Sequence, residues 1–376
     1  MDYTAETSGE RKRIHVVEPT LESEAGHCHS FVESVCAARR DGDGEITVYA
    51  GSRARLPRLE RMGVRVVPYF RRRIRRPQAF FLYRKLLQGP GRILVSTAGR
   101  ADMTLISLAA GGTIPPGKIF LYVHWVTLTP SKEAFFRKMS ARQPNLVLMG
   151  PTGTVASVFR SCGFRDVRVV PYPITPADPG RVTAGERFRH VLYAGAARAD
   201  KGFPRVVDLV CRMAEAGTEI PFAVQASPDH YEKYDEGIRA ELDRLRKAAP
   251  PWLRMFPDTL PADEYQGQFE GAIVLQLYSR DDFADRVSGV TLDAFSAGAP
   301  VIATAGTWMA RAVERFGAGV VLDDPAVSAL LGAVEAIRAD YPRFRENAVE
   351  AGKALRREHG ARQLLEVLMS TSTGGA

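Results

Sequence analysis

Short β-branched runs alternate with amphipathic stretches along almost the whole chain. The first run, Ile14–Val17, is followed by Glu18, Pro19 and a polar loop to Gly26, and then by a helical pattern from Phe31 to Ala38. Further runs at Ile46–Ala50, Val64–Pro68, Ile93–Ser96, Ile119–Val123, Leu146–Met149 and Val167–Val170 read as strands, with helical patterns between most of them. Residues 174–190 break the rhythm with proline, glycine and charge, as a linker does. The alternation then restarts. Strands are predicted at Val191–Ala194, Phe222–Gln225, Leu253–Phe256, Ala272–Leu277, Val301–Ala303 and Gly319–Leu322, and helices at 202–216, 231–247 and 290–297. Only helical patterns follow, 326–339 and 343–369, the second broken at Gly360. Strand, helix, strand in regular succession predicts parallel α/β sheets.

A chain of 376 residues exceeds one ordinary core, so two α/β domains are expected. The hydrophobic fraction of 45% and charged fraction of 25% are those of a globular protein. A net charge of +8 favours acidic partners such as nucleotides, lipid phosphates or anionic membranes without selecting among them. Cys28, Cys36, Cys162 and Cys211 form no C-x-x-C pair, which argues against a disulfide framework or a structural zinc and for a reducing cytoplasm. The N-terminus has no apolar signal-peptide core, and no window is apolar enough to span a membrane.

The stretch from Tyr278 to Thr304, YSRDDFADRVSGVTLDAFSAGAPVIAT, concentrates the candidate chemistry. Asp285 and Asp293 stand eight positions apart around Ser288 and Gly289, where the helical pattern begins; Gly298 and Pro300 end it. The amides of Ser288, Gly289 and Val290 at such a helix start favour a phosphate group. Carboxylates on either side suit the hydroxyls flanking a diphosphate, the layout of a nucleotide sugar. The plain structural alternative is a surface loop acid followed by an acid that the helix dipole favours. A second stretch, GAARADKGF from Gly195 to Phe203, follows a strand and leads into a helix. Its glycine lets backbone approach a ligand, and Arg198 and Lys201 are cations for a diphosphate; the alternative is a solvated loop. Both stretches lie at carboxyl ends of strands in one domain, where open α/β sheets bind ligands.

The first stretch resembles the E-x7-E segment of family-4 retaining glycosyltransferases of the GT-B fold, with Asp in both carboxylate positions, and "LDAFSAGAPVIAT" is similar to the family's LEA-x-A-x-G-x-PV run. GAARADKGF resembles the family's G-R-L-x-x-x-K-G loop, with Ala196 where the family carries Arg and Arg198 as the candidate replacement. The resemblance implies two Rossmann-like domains facing a central cleft, with a C-terminal helix crossing back to the first. The expected layout is a flexible N-terminus to residue 13, an acceptor domain over 14–173, the linker, a donor domain over 191–358, the returning helix over 359–370 and a flexible tail. It also implies that Asp285 faces the donor sugar, that Asp293 accepts from the ribose hydroxyls, and that His124, ending the run IFLYVH, contacts the sugar near the reacting centre. A core histidine is the alternative for His124.

Gly26 and His27 follow the first strand and are candidates for the donor phosphates and the acceptor. A metal reading of His27, Cys28 and His29 is rejected because adjacent side chains diverge, and the D-x-D at Asp41 and Asp43 reads as a solvated turn. Arg71, Arg72, Arg73, Arg75 and Arg76, followed by Phe80, Phe81 and Tyr83, form either a docking face for anionic headgroups or a solvated basic face; no motif supports nucleic acid.

The expectation is therefore a cytoplasmic glycosyltransferase, peripheral at the membrane, that uses a nucleoside diphosphate sugar with retention and needs neither metal nor cofactor. Its acceptor would be a glycan, a lipid-linked glycan or a natural product of a polysaccharide or glycoconjugate route. The alternatives are a degenerate nucleotide-sugar-binding subunit and a nucleotide-sugar epimerase of the same architecture.

Overall fold

The computed structural model describes residues 13–24, 26–174, 187–227 and 236–370. The chain divides into two compact units, the first made of residues 1–176 and 359–376 and the second of 177–358. Most of the predicted linker, the start of the helix expected from Tyr231 and both termini lie outside the described residues.

The first unit runs β1 (Arg13–Val17), α1 (His27–Ala37), β2 (Glu45–Gly51), α2 (Pro57–Arg61), β3 (Arg65–Phe70), α3 (Arg75–Gln88), β4 (Arg92–Val95), α4 (Arg100–Ala110), β5 (Ile119–Tyr122), α5 (Pro130–Arg142), β6 (Val147–Gly150), α6 (Gly153–Ser161) and β7 (Asp166–Val169). Its seven strands are all parallel in the order β3-β2-β1-β4-β5-β6-β7. The interior strands β5 and β6 are buried at every position, as strands covered on two faces must be.

The second unit runs β8 (His190–Tyr193), α7 (Phe203–Glu215), β9 (Phe222–Gln225), α8 (Glu236–Ala248), β10 (Leu253–Phe256), α9 (Ala262–Gly267), β11 (Ala272–Gln276), α10 (Arg280–Phe283), α11 (Gly289–Ser296), β12 (Val301–Thr304), α12 (Trp308–Phe316), β13 (Gly319–Leu322), α13 (Val327–Ala339) and α14 (Tyr341–Glu358). Six parallel strands are ordered β10-β9-β8-β11-β12-β13. Each predicted strand has its counterpart within two residues. The amphipathic α7 buries Phe203, Val206, Val207, Val210 and Met213 at helical spacing. Gly352 of α14 lies so close to α11 that a Cβ there would sit 2.3 Å from the Phe295 carbonyl oxygen, so these helices touch backbone to backbone.

After Glu358 the chain rejoins the first unit, and α15 (Arg362–Met369) buries Leu364, Leu365 and Leu368 there. Arg362 pairs with Asp43, and His359 Nδ1 hydrogen-bonds the Tyr172 carbonyl at 2.8 Å. Asp43, the second acid of the D-x-D, accepts from the Arg40 amide at 2.7 Å as well, which holds the turn in shape.

Candidate functional site

In both sheets the strand order reverses direction beside the first strand, between β1 and β4 and between β8 and β11. Successive connections leave such a point on opposite faces, opening a crevice at the carboxyl ends where ligands bind. The candidate residues of the second unit come from the two loops that leave its crevice, after β8 and after β11.

The loop after β8 begins at Gly195, whose amide donates to Gln225 Oε1 at 3.1 Å, and folds into a short 3-10 turn at Ala199–Lys201. Gly202 closes the turn with φ of 74°, a conformation that a side chain disfavours, and a Cβ there would lie 2.2 Å from the Leu277 carbonyl oxygen. This contact fastens the loop to the end of β11, as does the Ser279 amide donating to the Asp200 carbonyl at 2.8 Å. Lys201 Nζ lies 5.6 Å from the ring centre of Tyr278 and 3.5 Å from the point where a Cβ on Gly195 would stand. Burial first, then the charges of Arg198 and Arg286, bring the Lys201 ammonium down to about 8, with Asp200 acting in the opposite sense.

Arg198 is held by Asp200 through both guanidinium edges, Nε donating to Oδ1 at 2.8 Å and Nη2 to Oδ2. Its charge is thus largely balanced within the loop. Two residues beyond Tyr278, α10 turns back so that Phe283 packs 4.5 Å from the Tyr278 ring, and Arg286 sits 4.8 Å over Phe283.

Ser288 caps α11, accepting from the Thr291 amide at 3.4 Å, and is hydrogen-bonded with the buried Tyr278. The amides of Gly289 and Val290 meet no acceptor among the described residues, as the first amides of a helix do not. Val290 Cγ2 is 4.0 Å from the Cβ position of Gly195, which joins the helix start to the β8 loop. The structure thus gathers Gly195, Arg198, Lys201, Ser288, Gly289 and Val290 around one spot.

The two acids sit apart from it. Asp285 is half-buried and pairs with Arg311 of α12 at 2.9 Å, while the same guanidinium reaches the Ala284 carbonyl at 2.7 Å. Asp293 accepts from Tyr265 Oη at 3.1 Å and from Gln266, and burial pushes its carboxyl up to about 6. Hydroxyl donors bound to Asp293 would favour its ionised form and pull that value back down.

In the first unit Glu18 ends β1, Ser96 and Thr97 end β4, and His124 follows β5, with Gly26 capping α1 and His27 as its first residue. The His124 ring packs on Phe31, Tyr122 and Tyr172, and lies 6.0 Å edge-on from His27. Its Nε2 donates to the Ser96 carbonyl at 2.7 Å, which directs the ring into the crevice end of the sheet. Glu18 is buried and accepts from Thr20 Oγ1 at 2.6 Å and Ser96 Oγ at 2.8 Å. Burial and Glu18 push the Cys28 thiol up to about 12, so it stays protonated. Beside these groups a cavity of about 170 Å³ has an apolar floor of Val123 and Phe136, with Arg100, Lys132 and the exposed Trp125 around it.

No family model and no curated protein sequence matches this chain, and its kinship is structural. HepE of Anabaena, solved in complex with UDP-glucose, superposes with a TM-score of 0.67 at 14% identity over 94% of this chain and 98% of its own. Sucrose-phosphate synthase from Thermosynechococcus elongatus gives 0.68 at 14% identity, over 94% and 97%. WaaG, a glycosyltransferase involved in lipopolysaccharide biosynthesis, gives 0.65 at 13% identity, over 96% and 100%.

The chain has the GT-B fold. In GT-B terms the loops after β8 and β11 are the carboxyl-end loops of the second Rossmann-like unit, and α15 is the helix that returns to the first. Sequence reasoning missed four groups in this site: Gln225, Tyr278, Arg286 and Arg311. Arg311 was hidden because α12 itself was not foreseen, although Thr307 as a cap, Gly317 after the last turn and the apolar Met309, Ala310, Ala312 and Val313 spell out that helix.

Proposed function

We propose that this protein is a glycosyltransferase that takes a sugar from a nucleoside diphosphate donor and passes it, with retention, to an acceptor hydroxyl. The observation that supports this reading most is the half-buried ammonium of Lys201 beside the open amides of α11, with Asp285 before that helix and Asp293 within it. A cation and a helix start at one spot suit a diphosphate, and acids on either side suit hydroxyl groups.

In this reading the acceptor oxygen bonds to the anomeric carbon on the face from which the diphosphate departs. The carbon–oxygen bond to the diphosphate breaks, and the acceptor proton passes to the leaving phosphate oxygen. Lys201, Arg198 and the Gly289 and Val290 amides take up the charge that develops there, which is the largest contribution such a site supplies. No metal is required, since side chains and amides provide the positive charge. Asp285, oriented by Arg311, receives donor sugar hydroxyls, and Asp293 receives the ribose. Gly26, His27 and His124 are assigned to substrate hydroxyls, and the Arg100, Lys132 and Trp125 cavity to an anionic part of the acceptor.

The test is incubation with UDP-glucose, the donor solved in HepE, and with other UDP-, GDP- and dTDP-sugars, against glycan and lipid-linked acceptors. The expected results are release of nucleoside diphosphate that depends on acceptor, and a product that keeps the donor's anomeric configuration by NMR. A donor that binds with no transfer to any acceptor would instead favour the non-catalytic binding subunit.

A lipid-linked acceptor accords with the surface of the first unit. Arg71, Arg72, Arg73, Arg75 and Arg76 are all exposed, Ile74 and Phe81 are 47% and 64% exposed, and no acid occurs between Glu60 and Asp102. Phe80 and Tyr83 face inward instead, toward the core. A basic face with protruding apolar side chains docks on anionic headgroups, with about 1 kcal/mol from each cation near the surface. The chain is expected to cosediment with phosphatidylglycerol vesicles but not with phosphatidylcholine ones. Exchanging Arg71, Arg73, Arg75 and Arg76 for Gln should weaken that binding by about 10²-fold or more. Equal sedimentation of the variant would remove the membrane from this reading.

A further inference from the structure

The cations at the diphosphate spot do not match the pattern that the sequence suggests. Where the resembled family carries an arginine, this chain has Ala196, and Arg198, the replacement nearest in sequence, spends both guanidinium edges on Asp200. With Arg198 largely balanced by Asp200, most of the cationic charge toward a ligand bearing at least two negative charges would fall to Lys201. Yet a further cation stands close by. Arg286 follows Asp285 directly, two residues before the Ser288 cap, and its guanidinium lies 4.8 Å over Phe283. Phe283 packs 4.5 Å from Tyr278, the ring over which Lys201 is placed, and Tyr278 is hydrogen-bonded with Ser288.

From that packing we infer that Arg286 is a donor-binding residue, a cation on the diphosphate beside Lys201, doing from the loop before α11 what the family's arginine does from the loop after β8. The inference rests on the donor reading above. Arg286 and Lys201 lie near enough to oppose each other's charge, and burial, then Arg198, lower the Arg286 guanidinium, with Asp200, Tyr278 and Asp282 acting in the opposite sense. Cations crowded together within a half-buried site gain most when an anion enters among them, and a planar guanidinium can grip two phosphate oxygens at once. The Phe283 ring, 4.8 Å beneath the Arg286 guanidinium, restrains that group, so less conformational freedom remains to be lost on binding.

Calorimetric titration with UDP and with uridine tests this, because the two ligands differ only in the diphosphate. Arg286→Ala is expected to weaken UDP binding at least tenfold while uridine binding stays unchanged. Arg286→Lys should recover part of the loss, and Arg286→Gln, which keeps a polar side chain without the charge, should behave as the alanine variant does. Circular dichroism melts verify that each variant is folded. A wild-type chain that binds UDP, with both Arg286→Ala and Arg286→Gln binding it equally well, overturns this inference and leaves the donor reading standing. Equal losses for UDP and uridine also overturn it, since they would make Arg286 a support for the loop rather than a phosphate ligand. A wild-type chain that binds no nucleoside diphosphate overturns the donor reading and this inference together.

Discussion

Exchanging Lys201 for alanine is expected to lower kcat/KM for transfer by about 10²–10³-fold, the usual cost of removing one group that stabilises charge in a transition state. The variant should melt no lower than the parent, because the ammonium is kept in a place that burial and two arginines make unfavourable for it. Loss of activity with no loss of stability is the signature that separates a functional lysine from a structural one. The pH profile carries the same information. With the ammonium at about 8, the free protein loses this charge as pH rises through that value, so kcat/KM should fall on the alkaline side with a limb near 8. In kcat the limb should move to higher pH, since a bound diphosphate favours the charged form. Lys201→Arg should abolish the limb near 8 while keeping part of the activity. A flat profile from pH 7 to 10 in the parent protein would show that Lys201 carries no charge that the reaction uses.

The second large effect is expected at Gly202, where alanine must adopt φ near 74° and bring its Cβ to within 2.2 Å of a backbone oxygen. The left-handed conformation costs about 1–2 kcal/mol and the forced shift of the Leu277 peptide another 1–3. Together these should lower the melting temperature of the second unit by roughly 10 °C. Donor affinity should fall as well, since the turn that ends at Gly202 positions Lys201. Melting curves with and without UDP separate the two consequences. A variant as stable as the parent would mean that the β8 loop is free of β11.

The sheets were legible because strands buried on both faces read as unbroken apolar runs, as at Ile119–Tyr122 and Ala272–Gln276. The turn after β8 was legible through Gly195, Lys201 and Gly202, and the cap of α11 through Ser288. What escaped the sequence was pairing. Nothing in a linear pattern distinguishes the Arg198 that Asp200 holds from an arginine open to a ligand, nor shows that Arg311, 26 residues after Asp285, folds back upon it. Arg286 escaped for a related reason, since a charged residue in an irregular loop has no period to mark its direction. The basic segment divided in the same way: the sequence set Phe80, Phe81 and Tyr83 on one stretch, and only the fold buries Tyr83, turns Phe80 toward the core and leaves Phe81 projecting.

The route of the polypeptide limits how this molecule can be taken apart. Leu364, Leu365 and Leu368 have no exposed surface, and each is worth about 1.5–3 kcal/mol of burial. A recombinant fragment ending near residue 174 would lack them, together with the arginine that Asp43 holds, and is expected to misfold or aggregate. Supplying the last 18 residues as a separate peptide, or fusing them behind residue 174 through a short spacer, should rescue it. Residues 177–358, by contrast, form an insertion within the other unit's chain and are the piece to express by itself when nucleotide binding is to be measured in isolation.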